Sequence, residues 1–331
     1  MQPCERDIWI TVPATAQSDY AVVDTASCLS QLNRRAYRQG YEFAYESVEV
    51  FQTDAVDDVF VTVSRFPNTW VTVNAWTKAY HAWKDQQDDA MDEGDSWSMR
   101  AKYRDFKICY NDGHATGNWA GGTGNVTQPT PHGLLSLAQA NVIDADAAMD
   151  WTYSEFVVPN VTGAGGVTEE YLGHMLADDS SASKGLILAY AESRARPHPQ
   201  DPSTMVNPGA SVPDGGLFTE MIDVGEDMLE IMDNVTGRNN SPPYLVGGTD
   251  SDDEFYPGGQ NSDFGGNGVE IDILTVRGNN LVLSSDRTGA FTALCGLLWI
   301  ENSSEGDVVV RIRVAPGNYQ GVLARPMSEA N

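Results

Sequence analysis

Three kinds of residue in this chain are suited to chemistry: histidines with serines or cysteines, carboxylates, and clustered arginines. A nucleophilic triad usually announces its serine by a sharp Gly-x-Ser-x-Gly turn, and the chain contains none. The five histidines, His81, His114, His132, His174 and His198, never take the i, i+4 spacing that puts two zinc ligands on one helix face. Cys4, Cys28, Cys109 and Cys295 lack the Cys-x-x-Cys spacing of a zinc or redox motif and read as small buried apolar residues. Gly121-Gly122-Thr123-Gly124 and Gly163-Ala164-Gly165-Gly166 lack the lysine and helix start of a phosphate cradle. No catalytic constellation is legible, so the expectation is a protein that is not an enzyme.

Carboxylates are too abundant to single out an acid–base pair. With 47 Asp+Glu in 331 residues, chance pairs are everywhere, and an ionised acid is ordinarily solvated. The densest cluster, Asp250, Asp252, Asp253 and Glu254, lies in a Gly-flanked stretch that could wrap a hard cation with oxygen ligands. It lacks the glycine at position 6 and glutamate at position 12 of an EF-hand loop. Calcium at a contact between subunits is the cofactor reading; a bare acidic loop is the other.

The basic residues form local groups: Arg34, Arg35 and Arg38, then Arg100, Lys102, Arg104 and Lys107, with Arg311 and Arg313 near the end. Together they could make one cationic face. Arginine forks suit phosphate oxygens, and equally the carboxylates of a neighbouring chain. The net charge of −27 opposes general attraction to nucleic acid or anionic lipid, so any polyanion contact must be local. Such an acid-rich surface suits a salty medium that screens its self-repulsion.

The elements that must position these groups are mainly strands. Short runs rich in Val, Ile, Tyr and Phe recur between Gly, Pro, Asn and Asp clusters. Eight stand out: Tyr41–Phe51, Asp58–Arg65, Tyr103–Tyr110, Trp151–Val161, Lys184–Glu192, Val269–Arg277, Ala290–Glu301 and Asp307–Val314. In the last, Val308, Val310, Ile312 and Val314 alternate with Arg311 and Arg313, as a half-buried antiparallel strand requires. Three helices follow from 3.6-residue apolar spacing. One runs from about Thr25 to Tyr37 or Arg38, capped by Asp24 or Thr25. A second, about Val73 to Asp89, carries Trp76, Ala79, Tyr80 and Trp83 on one face, and helical spacing favours packing over ligand stacking for these rings. The third is about Leu217 to Asn234. This order predicts one domain over 1–331: a mainly β, single eight-stranded jelly-roll sandwich with helical insertions, a double jelly roll being the alternative. The long segments at about 111–150 and 194–216 are expected to be loops serving as contact arms. No apolar run reaches the roughly 18 residues of a membrane span. Met1 to Val12 lacks the basic-then-apolar pattern of a signal peptide.

The segment Leu32-Asn33-Arg34-Arg35-Ala36-Tyr37-Arg38-Gln39-Gly40 precedes a strand. Downstream come Pro67-Asn68-Thr69-Trp70, Asn74-Ala75-Trp76, Ala82-Trp83 and Arg104-Asp105-Phe106-Lys107, and near the end Gly317-Asn318-Tyr319-Gln320-Gly321-Val322. This ordered set resembles capsid proteins of small circular single-stranded DNA viruses known largely from aquatic environments, over roughly the first 110 residues and the last 20. The resemblance implies a jelly-roll subunit of a virion, self-association into an icosahedral shell, and enclosure of a DNA genome. Many such proteins begin with an Arg/Lys-rich arm, whereas this chain opens Met1-Gln2-Pro3-Cys4-Glu5-Arg6-Asp7. Any contact with single-stranded DNA is therefore expected to fall on the arginines and lysines grouped above. Tryptophans and acids together also fit a carbohydrate-binding or glycan-cleaving sandwich, and the same fold without shell closure would suit a viral decoration or receptor-binding protein.

Overall fold

The computed structural model describes residues 3–12, 19–52, 58–94, 105–116, 126–127, 151–159, 168–177, 179, 183–195, 268–277, 284–303 and 308–330. Along the first part of the chain run strands β1 (Asp7–Val12) and β2 (Asp19–Asp24), helix α1 (Thr25–Asn33), strands β3 (Tyr41–Gln52) and β4 (Val59–Arg65), and helices α2 (Trp70–Glu93) and α3 (Asp112–Thr116). Then come β5 (Val126–Thr127), β6 (Glu155–Pro159), β7 (Thr168–His174), β8 (Ser183–Gly185) and helix α4 (Leu186–Ala195). The last part holds β9 (Val269–Val276), β10 (Ser285–Arg287), β11 (Phe291–Ala293), β12 (Leu297–Asn302), β13 (Val308–Val314), β14 (Pro316–Tyr319) and β15 (Ala324–Pro326).

Eight of these strands pair first with last, working inwards: β1 with β13, β2 with β12, β3 with β10, and β4 with β9, all antiparallel. Such a chain is one long two-stranded ribbon. Two further antiparallel pairings, β13 with β3 and β12 with β4, roll it into facing sheets. The first sheet has the order β1-β13-β3-β10, with β11 and β15 also paired to β3; the second has β5-β2-β12-β4-β9. The molecule is therefore mainly β, an antiparallel sandwich with the strand order of one jelly roll. Between β4 and β9 the chain makes an excursion over 66–268 that includes a small third sheet, β6-β7-β8.

Burial explains the sequence pattern of each sheet. The inward residues Ile8, Ile10 and Val12 of β1, Val48 and Val50 of β3, and Val308, Val310, Ile312 and Val314 of β13 meet Ala21, Val23, Val61, Val63, Leu298 and Ile300 of the second sheet in one core. The outward residues of the first sheet are polar or half-exposed, so its strands alternate. The second sheet is also covered on its other face where β2 and β12 lie. Val22, Leu297 and Trp299 pack into a second core with Val71, Trp76, Ala79 and Trp83 of α2, with Phe106, Ile108, Tyr110 and Phe156, and with Leu186 and Ile187 of α4. A strand buried on both sides needs no alternation, and β12 reads Leu-Leu-Trp-Ile. Side chains extend the hydrogen bonding: the Gln86 amide of α2 pairs with both the N–H and C=O of Val157, so it occupies the backbone of β6 as a neighbouring strand would.

Several expected elements differ. Lys184–Glu192 is a helix from Leu186 onwards, because a short apolar run suits a buried helix as well as a strand. Of Tyr103–Tyr110, the described residues 105–110 form no strand and meet the third sheet through an isolated bridge, Cys109 to His174. Within Trp151–Val161 the strand is Glu155–Pro159 and belongs to the third sheet. Ala290–Glu301 is broken by a 3₁₀ turn at Leu294–Gly296. The three missing sandwich strands are β1, β2 and β10. Helix α1 ends earlier than expected, at Asn33, where Arg34 turns left-handed at φ 53°; the Asp24 cap is as expected, its side chain accepting from the Ser27 N–H. Helix α2 is longer than expected, and Thr69 caps it. The expected helix at 217–234, and most of the two long loops, lie outside the described residues.

Candidate functional site

Arg311 and Arg313 project from β13 on the outer face of the first sheet, and register supplies their partners. Arg311 lies opposite Glu49 of β3 and forms an ion pair with it, while its guanidinium sits 5.3 Å from the Trp9 ring centre and 5.8 Å from that of Phe51. Arg313 lies opposite Asp7 of β1 and grips its carboxylate with two bonds of 2.9 and 3.1 Å. That grip holds the Asp7 carboxyl below the usual carboxylate range, against the opposing effect of its partial burial. Arg6 adds a 3.4 Å pair with Glu46. This face is an alternating ladder of charge, not a cationic strip.

Arg34, Arg35 and Arg38 sit elsewhere, in the connector from α1 to β3. Arg38 donates its backbone N–H to the Tyr319 hydroxyl at 3.0 Å. The Tyr37 hydroxyl donates to the Gln320 carbonyl at 3.0 Å, and the Gln320 amide donates to the Ala36 carbonyl at 2.9 Å. These three bonds lash the connector to the β14–β15 turn, where Gln320 and Gly321 have φ of 51° and 105°, positive at both central positions of a tight hairpin. Between them lies a shallow cleft of about 400 Å³ lined by Arg35, Ala36, Arg38, Tyr41, Tyr319 and Gln320. Tyr41 and Tyr319 stack at 4.1 Å between ring centres.

The two arginine sets lie apart along β3. Tyr41 opens that strand and Glu49, partner of Arg311, lies eight positions on, about 26 Å at about 3.3 Å per residue. Lys107 belongs with the connector group. Its ammonium is 3.9 Å from Asp105 and 4.3 Å from the Trp151 ring centre. Burial pushes the Asp105 carboxyl up to about 6, against the pull of Lys107 and Arg38. Arg100, Lys102 and Arg104, and the acidic cluster Asp250, Asp252, Asp253 and Glu254, lie outside the described residues. The single cationic face expected from sequence is thus divided, and Arg311, Arg313 and Lys107 each pair with a carboxylate of the same chain.

Sequence reasoning missed what holds this corner together. Asp24, wholly buried, accepts from the Ser27 N–H at 3.1 Å, the Gln39 amide at 3.1 Å and the Trp151 indole N–H at 2.8 Å. Gln39 also pairs both ways with the backbone of Ile108, donating at 3.0 Å and accepting at 2.6 Å. Burial raises the Asp24 carboxyl and these donors lower it. A polar residue flanking an apolar strand was the available signal; its partners are too distant in sequence to read. No group of three or more His, Cys, Asp or Glu among the described residues is placed to hold a metal ion, and no helix among them is long and apolar enough to cross a membrane. Trp76 and Trp83, at 6% and 9% exposure, are core residues and offer no platform for a ligand.

Comparison with known proteins finds no matching family model, no matching curated protein and no matching solved structure.

Proposed function

We propose that this chain is a capsid subunit that associates with copies of itself into an icosahedral shell around a small DNA genome. The observation that carries the proposal is the rolled ribbon of eight strands, paired first with last, whose two-sheet wall is backed at β2 and β12 by α2 and α4. Such a body has its work done by surfaces. At the edge of the second sheet, Phe60 and Ile273 on neighbouring strands β4 and β9 are 47% and 54% exposed, and apolar side chains left in water there suit contact with a second copy. The 47 acids make such contacts depend on screening salt or cations.

The test is the size distribution of the purified chain by light scattering across sodium chloride and calcium concentrations. Large, discrete assemblies favoured by screening salt or calcium are expected. A monomer under every condition would contradict the proposal. Clearance of a glycan by the chain in a hydrolysis assay would favour a carbohydrate-active sandwich instead.

A further inference from the structure

We propose that Asp286, assisted by Asp272, guards one side of the sandwich against strand addition by another chain. This role concerns a surface that copies must not use, and it holds whether or not the chain builds a shell.

Among the described residues, β10 ends the first sheet and β9 ends the second. They lie on the same side of the sandwich, since the Thr275 N–H of β9 reaches the Asp286 carboxylate of β10. An edge strand offers alternate N–H and C=O groups to any incoming strand, and hydrogen-bond phase decides which ones. Ser303 donates its N–H to the Phe60 carbonyl, so Phe60 and Thr62 of β4 turn their backbones to β12, while Val59, Val61 and Val63 turn theirs to β9. Their partners on β9 are Val276, Leu274 and Asp272, which leaves the N–H groups of Ile273 and Thr275 facing outwards. In β10, Thr288 donates its N–H to the Val48 carbonyl. By the same alternation the backbone of Asp286, opposite Val50, faces β3, and that of Arg287 faces outwards.

These three outward N–H groups end on carboxylates. Ile273 donates to Asp272 Oδ1 at 3.0 Å, Thr275 to Asp286 Oδ2 at 3.0 Å and Arg287 to Asp286 Oδ1 at 2.8 Å. Asp286 therefore takes one edge donor from each sheet with its two oxygens. Register explains its reach: Val50 opposite it is an inward residue of the sandwich core, so the Asp286 side chain points towards the facing sheet. An inward-pointing charge on an edge strand opposes edge-to-edge pairing. This edge needs such protection. Ile273-Leu274-Thr275-Val276 is an uncharged run of β-prone residues, and Ile273 and the neighbouring Phe60 are half-exposed. An incoming strand must set a carbonyl oxygen where a carboxylate oxygen already sits, so two acceptors would compete for one donor and the charge would lose its water. Carboxylates in this place admit contact across the faces and oppose it along the edge.

The test compares wild type, Asp286→Ala, Asp286→Ala/Thr275→Lys and a core variant, Val310→Ala, as full-length chains. Low ionic strength is used, where repulsion between copies of this acidic chain least favours shell assembly. Thermal melts establish which proteins are folded, and thioflavin fluorescence with infrared spectroscopy follows strand pairing between chains. Asp286→Ala should form such β assemblies about tenfold faster or more, the factor for freeing charge-assisted bonds. Adding Thr275→Lys should return the rate to near that of the wild type. It restores neither bond and leaves the chain less negative, but a lysine on an exposed edge opposes pairing by itself. Val310→Ala, which loosens the core without touching the edge, should stay slow. An unchanged rate in Asp286→Ala would overturn the proposal. So would failure of the lysine to slow it, which would assign the effect to lost charge, or equal speed in Val310→Ala, which would assign it to unfolding. Amide hydrogen exchange of the wild type decides the matter if Asp286→Ala does not fold. The Thr275 and Arg287 amides should exchange about tenfold or more slower than unbonded exposed amides, and exchange at the unprotected rate would overturn the guard.

Discussion

Asp24 joins three parts of the molecule through one carboxylate. It caps α1, fixes Gln39 ahead of β3, and anchors Trp151 from the long excursion. Asp24→Ala removes the cap, about 1 kcal/mol, and leaves the buried Gln39 amide and the part-buried Trp151 indole N–H without this acceptor, about 1–3 kcal/mol for the buried donor and less for the other. A loss of about 3–4 kcal/mol in urea unfolding is expected; a loss under about 1 kcal/mol would contradict this role. His114 presents a second polar contact, part-buried. The Tyr110 N–H donates to its Nδ1 at 3.0 Å and the Tyr153 hydroxyl lies 3.2 Å from Nε2, an arrangement for the neutral ring, and burial lowers its pKa to about 4. Between about pH 6.5 and pH 4 the unfolded chain holds a proton here that the folded chain does not. Stability from this site is therefore complete above about 6.5 and is lost as pH falls towards 4. Asp105 has the opposite sign. Raised to about 6, it is protonated in the folded chain at pH values where it is ionised in the unfolded one, so its contribution falls as pH rises from about 4 to 6. Asp105→Asn should accordingly raise stability at pH 7 relative to pH 4, by about 1–2 kcal/mol, read from urea midpoints at the two pH values; an equal shift at both would contradict the assignment. An NMR titration should place the His114 ring near 4, and a value near 6.5 would exclude the buried neutral ring. At this scale the sequence named the arginines but not their company. Arg311 and Arg313 were legible as outward residues of a strand, whereas Glu49 and Asp7 reach them from 262 and 306 positions away.

The second sheet owes its composition to being the middle layer. Trp299 points away from the sandwich core, yet it is 1% exposed and lies against Tyr20 at 4.8 Å and Tyr110 at 5.4 Å between ring centres. Trp299→Ala should cost about 3–5 kcal/mol, as much as a deletion in the inner core. Val309→Ala, on the uncovered face of the first sheet, should cost about 1 kcal/mol or less. Similar losses at both positions, measured by denaturant unfolding, would mean that the covering layer contributes nothing. The same layering decided which elements could be read in advance. Strands β3, β4, β9 and β13 and helix α2 carry periods that one covered face imposes. Strand β1 carries the same signal in Ile8, Ile10 and Val12 but is brief, and β2 is a short all-apolar run between two aspartates. The run Leu186–Ala189 is apolar whether it forms a helix or a strand, since it is buried among α2 and the third sheet. Strand β10, three residues long, exists only because β3 offers it an edge.

Among the described residues the two facing sheets end on β1 and β10 and on β5 and β9, the first sheet presents an outer face of paired charge, and the chain carries a surplus of negative charge. Copies with a net charge of −27 repel at low ionic strength, and the Debye length shrinks from about 30 Å at 0.01 M salt to about 3 Å at 1 M. If Phe60 and Ile273 and the charge ladder are contact surfaces, screening should let them meet. Replacing both apolar residues, Phe60→Ser/Ile273→Ser, should lower the assembled fraction at high salt at least tenfold while the melting temperature changes little, since both side chains are about half exposed; an unchanged assembled fraction would remove that edge from the interface. The central claim, that this sandwich builds a shell from its own copies, is tested most directly by electron microscopy of the purified chain at 0.01 M and 1 M salt. Closed, uniform particles at high salt and dispersed subunits at low salt are predicted. Single subunits or irregular aggregates at both would contradict the claim.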